Sequence, residues 1–138
     1  SGGGDSYNTL EYITISTLGN ASDFGDATIA ASYRNAAGNA VRGIIAGGYA
    51  PSSNNTIEFI TISTLGNGID FGDLLNVVGG VTSMASSTRA VFAGGRTPSE
   101  ISDINFVQIM STGNAQDFGD LLSTVSNAGA VSNGHGGL

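Results

Sequence analysis

Three Asp-Phe-Gly-Asp boxes are the most chemically suggestive residues in this sequence. Asp23 and Asp26 bracket Phe24-Gly25, Asp70 and Asp73 bracket Phe71-Gly72, and Asp117 and Asp120 bracket Phe118-Gly119. An Asn stands three positions ahead of each box, at Asn20, Asn67 and Asn114. Clustered carboxylate and amide oxygens can hold Ca²⁺, but an EF-hand-type loop offers a denser ligand set than this. Asp beside Gly, soon after a Gly-Asn turn, is also ordinary turn and capping chemistry, with the Phe filling a core slot. That second reading is the one adopted. No metal and no cofactor are expected, and Ca²⁺ at the six Asp residues is the alternative. The match to the kinase Asp-Phe-Gly triad is coincidence, since the chain contains no Lys, no Gly-rich ATP loop and no His-Arg-Asp loop.

The other candidates are fewer. His135, the only histidine, is followed by Gly136-Gly137-Leu138, and no nucleophile or orienting group is identifiable as its partner. It is read as a tail residue. Arg42 and Arg89 are expected to lay their stems along a sheet and pair with a carboxylate such as Glu58, with anion binding as the alternative. The doublets Gly47-Gly48 and Gly94-Gly95 lack the Gly-Lys and strand–helix context of a phosphate loop. Tyr33 and Tyr49, with the polar stretch holding Asn54 and Asn55, could recognise sugars, the rings stacking and the amides bonding hydroxyls. Tyr12 is read as core. A converging acid/base set cannot be assembled, so no enzyme is expected.

Composition narrows the partners. The 138 residues carry 4 basic and 11 acidic side chains, a formal charge of −7, and every basic residue is Arg. Such a chain has no excess of cations to neutralise phosphates, which argues against nucleic acid and against anionic membrane surfaces. The absence of Cys excludes disulfides, thiol catalysis and zinc ribbons. No apolar run approaches the length of a membrane span, and Ser1-Gly2-Gly3-Gly4 is not a signal peptide. A start at Ser rather than Met suggests processing, a tag remnant or a fragment boundary.

The elements that must position these residues are repeated. The segment Leu10 to Asp26 recurs from Ile57 to Asp73 with 13 of 17 positions identical, and again from Ile104 to Asp120. Both offsets are 47. Arg42-Gly43-Ile44-Ile45-Ala46-Gly47-Gly48 recurs at the same offset as Arg89-Ala90-Val91-Phe92-Ala93-Gly94-Gly95. A constant spacing in two separate blocks defines a repeat architecture. The chain is thus one repeat domain, 1–138, with repeats at about 1–45, 46–92 and 93–138, each including one Asp-Phe-Gly-Asp box.

Ile57 to Ser63 is β-branched and aromatic, and Gly66-Asn67-Gly68 then supplies a turn. Ile57 and Phe59 fall on one face of that strand, Ile60 and Ile62 on the other, which requires a sheet buried on both sides. Four short strands per repeat are expected: a small-residue strand, the Arg…Ala-Gly-Gly strand, the Glu-aromatic-Ile strand and the Asp-Phe-Gly-Asp strand. No segment shows capped helical periodicity. Four strands in about 40–50 residues, both faces buried, describe a β-propeller blade. The fold class is therefore all-β, a propeller of four-stranded antiparallel blades. Phe24, Phe71 and Phe118 should each be buried between adjacent sheets.

These motifs resemble kelch-type propeller repeats. In that family a Gly-Gly doublet ends the second strand, an aromatic follows in the third (here Tyr12, Phe59, Phe106), and a large aromatic begins the fourth. This chain has Phe24, Phe71 and Phe118 where the family usually has Trp. The phrase Ile-Glu-Phe-Ile-Thr-Ile-Ser-Thr-Leu-Gly-Asn with Asp-Phe-Gly-Asp resembles repeats in virion proteins of marine tailed phages, cyanophages above all, over nearly the whole chain. The resemblance implies a non-enzymatic structural part of a phage particle, in tail, fibre or capsid decoration, located on the virion or outside the cell. A carbohydrate-binding adhesin module is the alternative. Propellers close with roughly 4–8 blades, so three repeats call for a second copy, making a six-bladed ring, or for the rest of a longer propeller. The two ends, Ser1-Gly2-Gly3 and His135 to Leu138, would then share one interrupted strand, and other virion proteins would be partners.

Overall fold

A computed structural model describes residues 6–132. The expectations placed on Ser1-Gly2-Gly3 and on His135 to Leu138 lie outside the described residues. Within them the chain is all-β and antiparallel, with eleven strands and no helix. β1 (Tyr7–Tyr12) and β2 (Ser22–Ala31) form a two-stranded sheet. β3 (Asn35–Gly38), β4 (Arg42–Ala46), β5 (Thr56–Thr61) and β6 (Ile69–Asp73) form a second sheet, paired in chain order.

The third sheet repeats the second at the 47-residue offset. It comprises β7 (Thr82–Ala85), β8 (Arg89–Ala93), β10 (Ser99–Gln108) and β11 (Gln116–Val125), in the order β7-β8-β10-β11. The short β9 (Arg96–Thr97) pairs with the start of β10. The registers agree too: Ile44 lies opposite Phe59 as Val91 lies opposite Phe106. Two repeats are thus complete four-stranded units. The first presents only its outer hairpin among the described residues, and the terminal segments expected to share its remaining strands lie partly outside them.

The core fills the space between the second and third sheets. Ile44, Ile57, Phe59 and Phe71 meet Val78, Val81, Phe92, Val107 and Ile109 there. Small residues let the sheets converge at β3 and β7, which carry Ala36, Ala37, Gly38 and Ala85. The glycine doublets explain how each sheet is joined to the next crossover. Gly48 N–H donates to Val78 O (2.9 Å) and Gly95 N–H to Val125 O (2.7 Å). Gly47 and Gly94 have φ of 66° and 64°, and a Cβ on either would sit 2.5 Å from that same carbonyl. Only Gly fits.

Several side chains depart from expectation. On the second face of β5 the buried residue is Glu58, while Ile62 lies beyond the strand end and is half exposed. Glu58 is fully buried, ion-paired with Arg34 and accepting hydrogen bonds from Thr28 N–H (2.6 Å) and Thr28 Oγ1 (2.7 Å). Arg42 does not pair with Glu58; its guanidinium lies 4.2 Å over the Phe59 ring and donates to Ile109 O. Arg89 lies likewise over Phe106. Stacking on an aromatic face uses the charge without a carboxylate. Tyr12 is not core but 42% exposed, packed edge-on against Phe24, because no further sheet of the described residues covers β1.

Candidate functional site

Two features hold chemistry: the seams between sheets, and a cleft on one edge of them. The seams are built by the Asp-Phe-Gly-Asp boxes and the Gly-Asn turns. Gly66 N–H donates to Phe24 O (2.9 Å), Gly68 N–H to Asp26 O (2.7 Å), and Asp26 N–H to Asn67 Oδ1 (3.0 Å). The next seam repeats all three: Gly113 N–H to Phe71 O, Ala115 N–H to Asp73 O, and Asp73 N–H to Asn114 Oδ1. Each turn thus clips onto the box of the preceding repeat. Close approach requires the central glycine, since a Cβ on Gly25 or Gly72 would lie 2.4 or 2.5 Å from the Gly66 or Gly113 carbonyl oxygen.

One half of this seam is open at each flank. Phe24 and Phe71 are 8% and 2% exposed, whereas Phe118 is 56% exposed. The expectation that Phe118 is buried is therefore corrected; no turn among the described residues covers it. Gly119 keeps the positive φ of its counterparts, 135°, yet nothing lies within 4 Å of where its Cβ would be. At the other flank the turn Gly19-Asn20 has no box to clip among the described residues, and Ile13, Ile15 and Leu18 around it are exposed. At the third sheet's flank, residues 130–132 run past β7, and Ser132 Oγ donates to Ala85 O. Ser83 Oγ of β7 donates to Ala36 O of β3 across the neighbouring contact. Together β3, β7 and residues 130–132 wall a groove of about 780 Å³ lined by small side chains.

Both carboxylates of the third box bond locally. Asp117 Oδ1 accepts from Gly119 N–H, and Asp120 Oδ1 accepts from Ser102 Oγ. No group of three or more His, Asp or Glu that could hold a metal exists among the described residues. Asp23, Asp26, Asp70 and Asp73 stand at the corresponding seam positions of the first two boxes, on β2 and β6.

The cleft, of about 950 Å³, brings Tyr33 and Tyr49 together with Ser52, Ser53, Arg96 and Asn127. Asn54 and Asn55 do not line it. Their carbonyls accept from Val78 and Leu74 N–H, and both side chains are partly buried at the seam. Arg96 and Asn127 were not singled out from the sequence, although a signal existed: they stand 47 residues after Tyr49 and, through Gly80, twice 47 after Tyr33. Backbone hydrogen bonds tie Ser32 to Tyr49 (3.0 and 2.8 Å), and equivalent bonds tie Gly79 to Arg96 (3.3 and 2.9 Å). The same tied loop pair thus occurs twice, with different side chains.

A scan against protein-family models matches no family, and a search of curated proteins finds no match to this chain. Among the described residues no helix is long and apolar enough to cross a membrane.

Proposed function

We propose that this chain is a non-enzymatic structural module: three repeats of a kelch-like β-propeller whose ring is completed by more repeats of the same kind. The observation that carries this reading is the seam left open at both flanks, Phe118-Gly119-Asp120 at one and Gly19-Asn20 at the other. The halves are complementary by the chain's own rule. Gly19 N–H would donate to Phe118 O, Ala21 N–H to Asp120 O, and Asp120 N–H to Asn20 Oδ1. An interface of this head-to-tail kind makes a ring where the rotation closes. A second copy gives six blades, within the range in which propellers close; a longer polypeptide continuing the repeats meets the same requirement. The sequence resemblance supports a place on a phage particle, in the tail, fibre or capsid decoration, with other virion proteins as neighbours.

Light scattering with negative-stain imaging of the chain at micromolar concentration tests the reading. Discrete dimers imaged as six-lobed rings are the expected result. A well-folded monomer at that concentration overturns self-completion, and imaged linear stacks overturn the propeller.

A further inference from the structure

The cleft between the tied loops carries an inference separate from assembly. Its frame is repeated while its side chains are not. Tyr49 and Arg96 occupy one position in successive repeats, and Tyr33, Gly80 and Asn127 occupy another. All three residues at the second position are left-handed, with φ of 56°, 69° and 53°. Gly and Asn tolerate that region, whereas an aromatic there is an uncommon and strained placement. Tyr33 nevertheless keeps it, held by Gly80 N–H donating to its carbonyl and by the neighbouring Ser32–Tyr49 pair. Tyr33 is 58% exposed and Tyr49 is 45% exposed. Two large apolar rings are thus presented to solvent on backbone that is pinned from both sides.

The charge lining the cleft is one cation. The chain bears 11 carboxylates, yet none lines this cleft, and one Arg does. Arg34 is paired with Glu58, and Arg42 and Arg89 are stacked on Phe rings. Arg96 Nε is anchored on Pro98 O (2.9 Å); Glu100 stands opposite it in the β9–β10 register but accepts from Ser126 Oγ, and no carboxylate forms an ion pair with Arg96 among the described residues. A planar guanidinium held this way matches one carboxylate bidentately. A phosphate-rich polymer would call for several such groups. Around it lie the hydroxyls of Ser52, Ser53 and Thr97 and the Asn127 amide, suited to sugar hydroxyls.

We propose that this cleft binds a carboxylate-bearing glycan, its sugar faces stacked on Tyr33 and Tyr49 and its carboxylate paired with Arg96. Calorimetric titration of the full chain with trigalacturonate and sialyllactose, against maltotriose and lactose, tests it. An acidic probe should bind with a Kd at or below about 1 mM, at least tenfold tighter than its neutral counterpart. Arg96→Gln should remove that preference, and Tyr49→Ala should weaken binding at least tenfold. Tyr33→Gly places in this repeat the residue the next one already has, so the fold should hold while affinity falls; an unchanged melting temperature checks the fold. Equal affinity for neutral and acidic probes, undiminished binding by Arg96→Gln, or no binding of either acidic probe up to about 10 mM each overturns the proposal. Every arm reads the same whether the chain is a monomer or part of a ring.

Discussion

Phe71 and Phe118 are the same residue in the same motif, 47 positions apart, and their surroundings assign them opposite roles. Phe71 packs edge-on against Phe59 at 6.0 Å within the core. Phe118 makes the same contact with Phe106 at 5.9 Å, but its other side meets solvent. Truncating a buried Phe costs about 3–5 kcal/mol, because a cavity is added to the lost transfer energy. Phe71→Ala should therefore cost about that much in a urea titration of dilute chain, while Phe118→Ala should cost less than about 1 kcal/mol. The buried Arg34–Glu58 pair gives a second test. Removing one partner of such a pair costs about 3–5 kcal/mol by stranding a charge. One repeat later Val81 and Asn105 occupy these two positions, with Asn105 Oδ1 accepting from Leu75 N–H in place of the carboxylate. Arg34→Val alone should be strongly destabilising, and adding Glu58→Asn should recover more than half of the loss. If the double variant is no more stable than the single one, the two sites are not interchangeable.

At the level of strands and turns, the seam makes backbone approach the deciding variable. Gly72→Ala would drive a methyl to within 2.5 Å of the Gly113 carbonyl, on backbone that cannot yield without opening the seam. Gly119→Ala meets open space and bears only the cost of its positive φ. The first should unfold at clearly lower urea than the second when both are dilute. The strand plan was legible in the sequence because a repeat announces itself twice, through its offset and through the alternation within each copy. Ile57 and Phe59, Gly47-Gly48 and the Asn67 turn all stand where those patterns put them. What was illegible follows from the same symmetry. An offset of 47 is blind to which copy stands at a flank, so Phe118 and Tyr12 read as core when they are not. Glu58 was equally hidden, since its carboxylate is buried by Thr28 and Arg34, which belong to the preceding strand and crossover. The cleft was half visible: the tyrosines stood out by type, but Arg96 belongs with them only once the loops are folded side by side.

For the whole molecule, the proposed closure of the open seam by a second copy would link stability to concentration. In the proposed ring the complementary flanks would form a head-to-tail contact, and each junction would bury Phe118 surface that is exposed here, as the closed seams bury Phe24 and Phe71. A species that binds only the folded chain raises its melting temperature by mass action, and in the proposed ring that species is another copy. The melting temperature of the unmodified chain should rise by at least a few degrees across a hundredfold increase in concentration. Phe118→Asp should abolish that dependence, because an unpaired carboxylate would have to be desolvated beneath the incoming Gly19-Asn20 turn. Its dilute melting temperature should change little, since position 118 is already in water. The comparison with Phe71→Asp separates assembly from folding: that charge falls in the core and should leave no cooperative transition at any concentration. A Phe118→Asp chain that still melts higher when concentrated would mean that copies associate through some other surface, and the register inferred for the seam would be wrong.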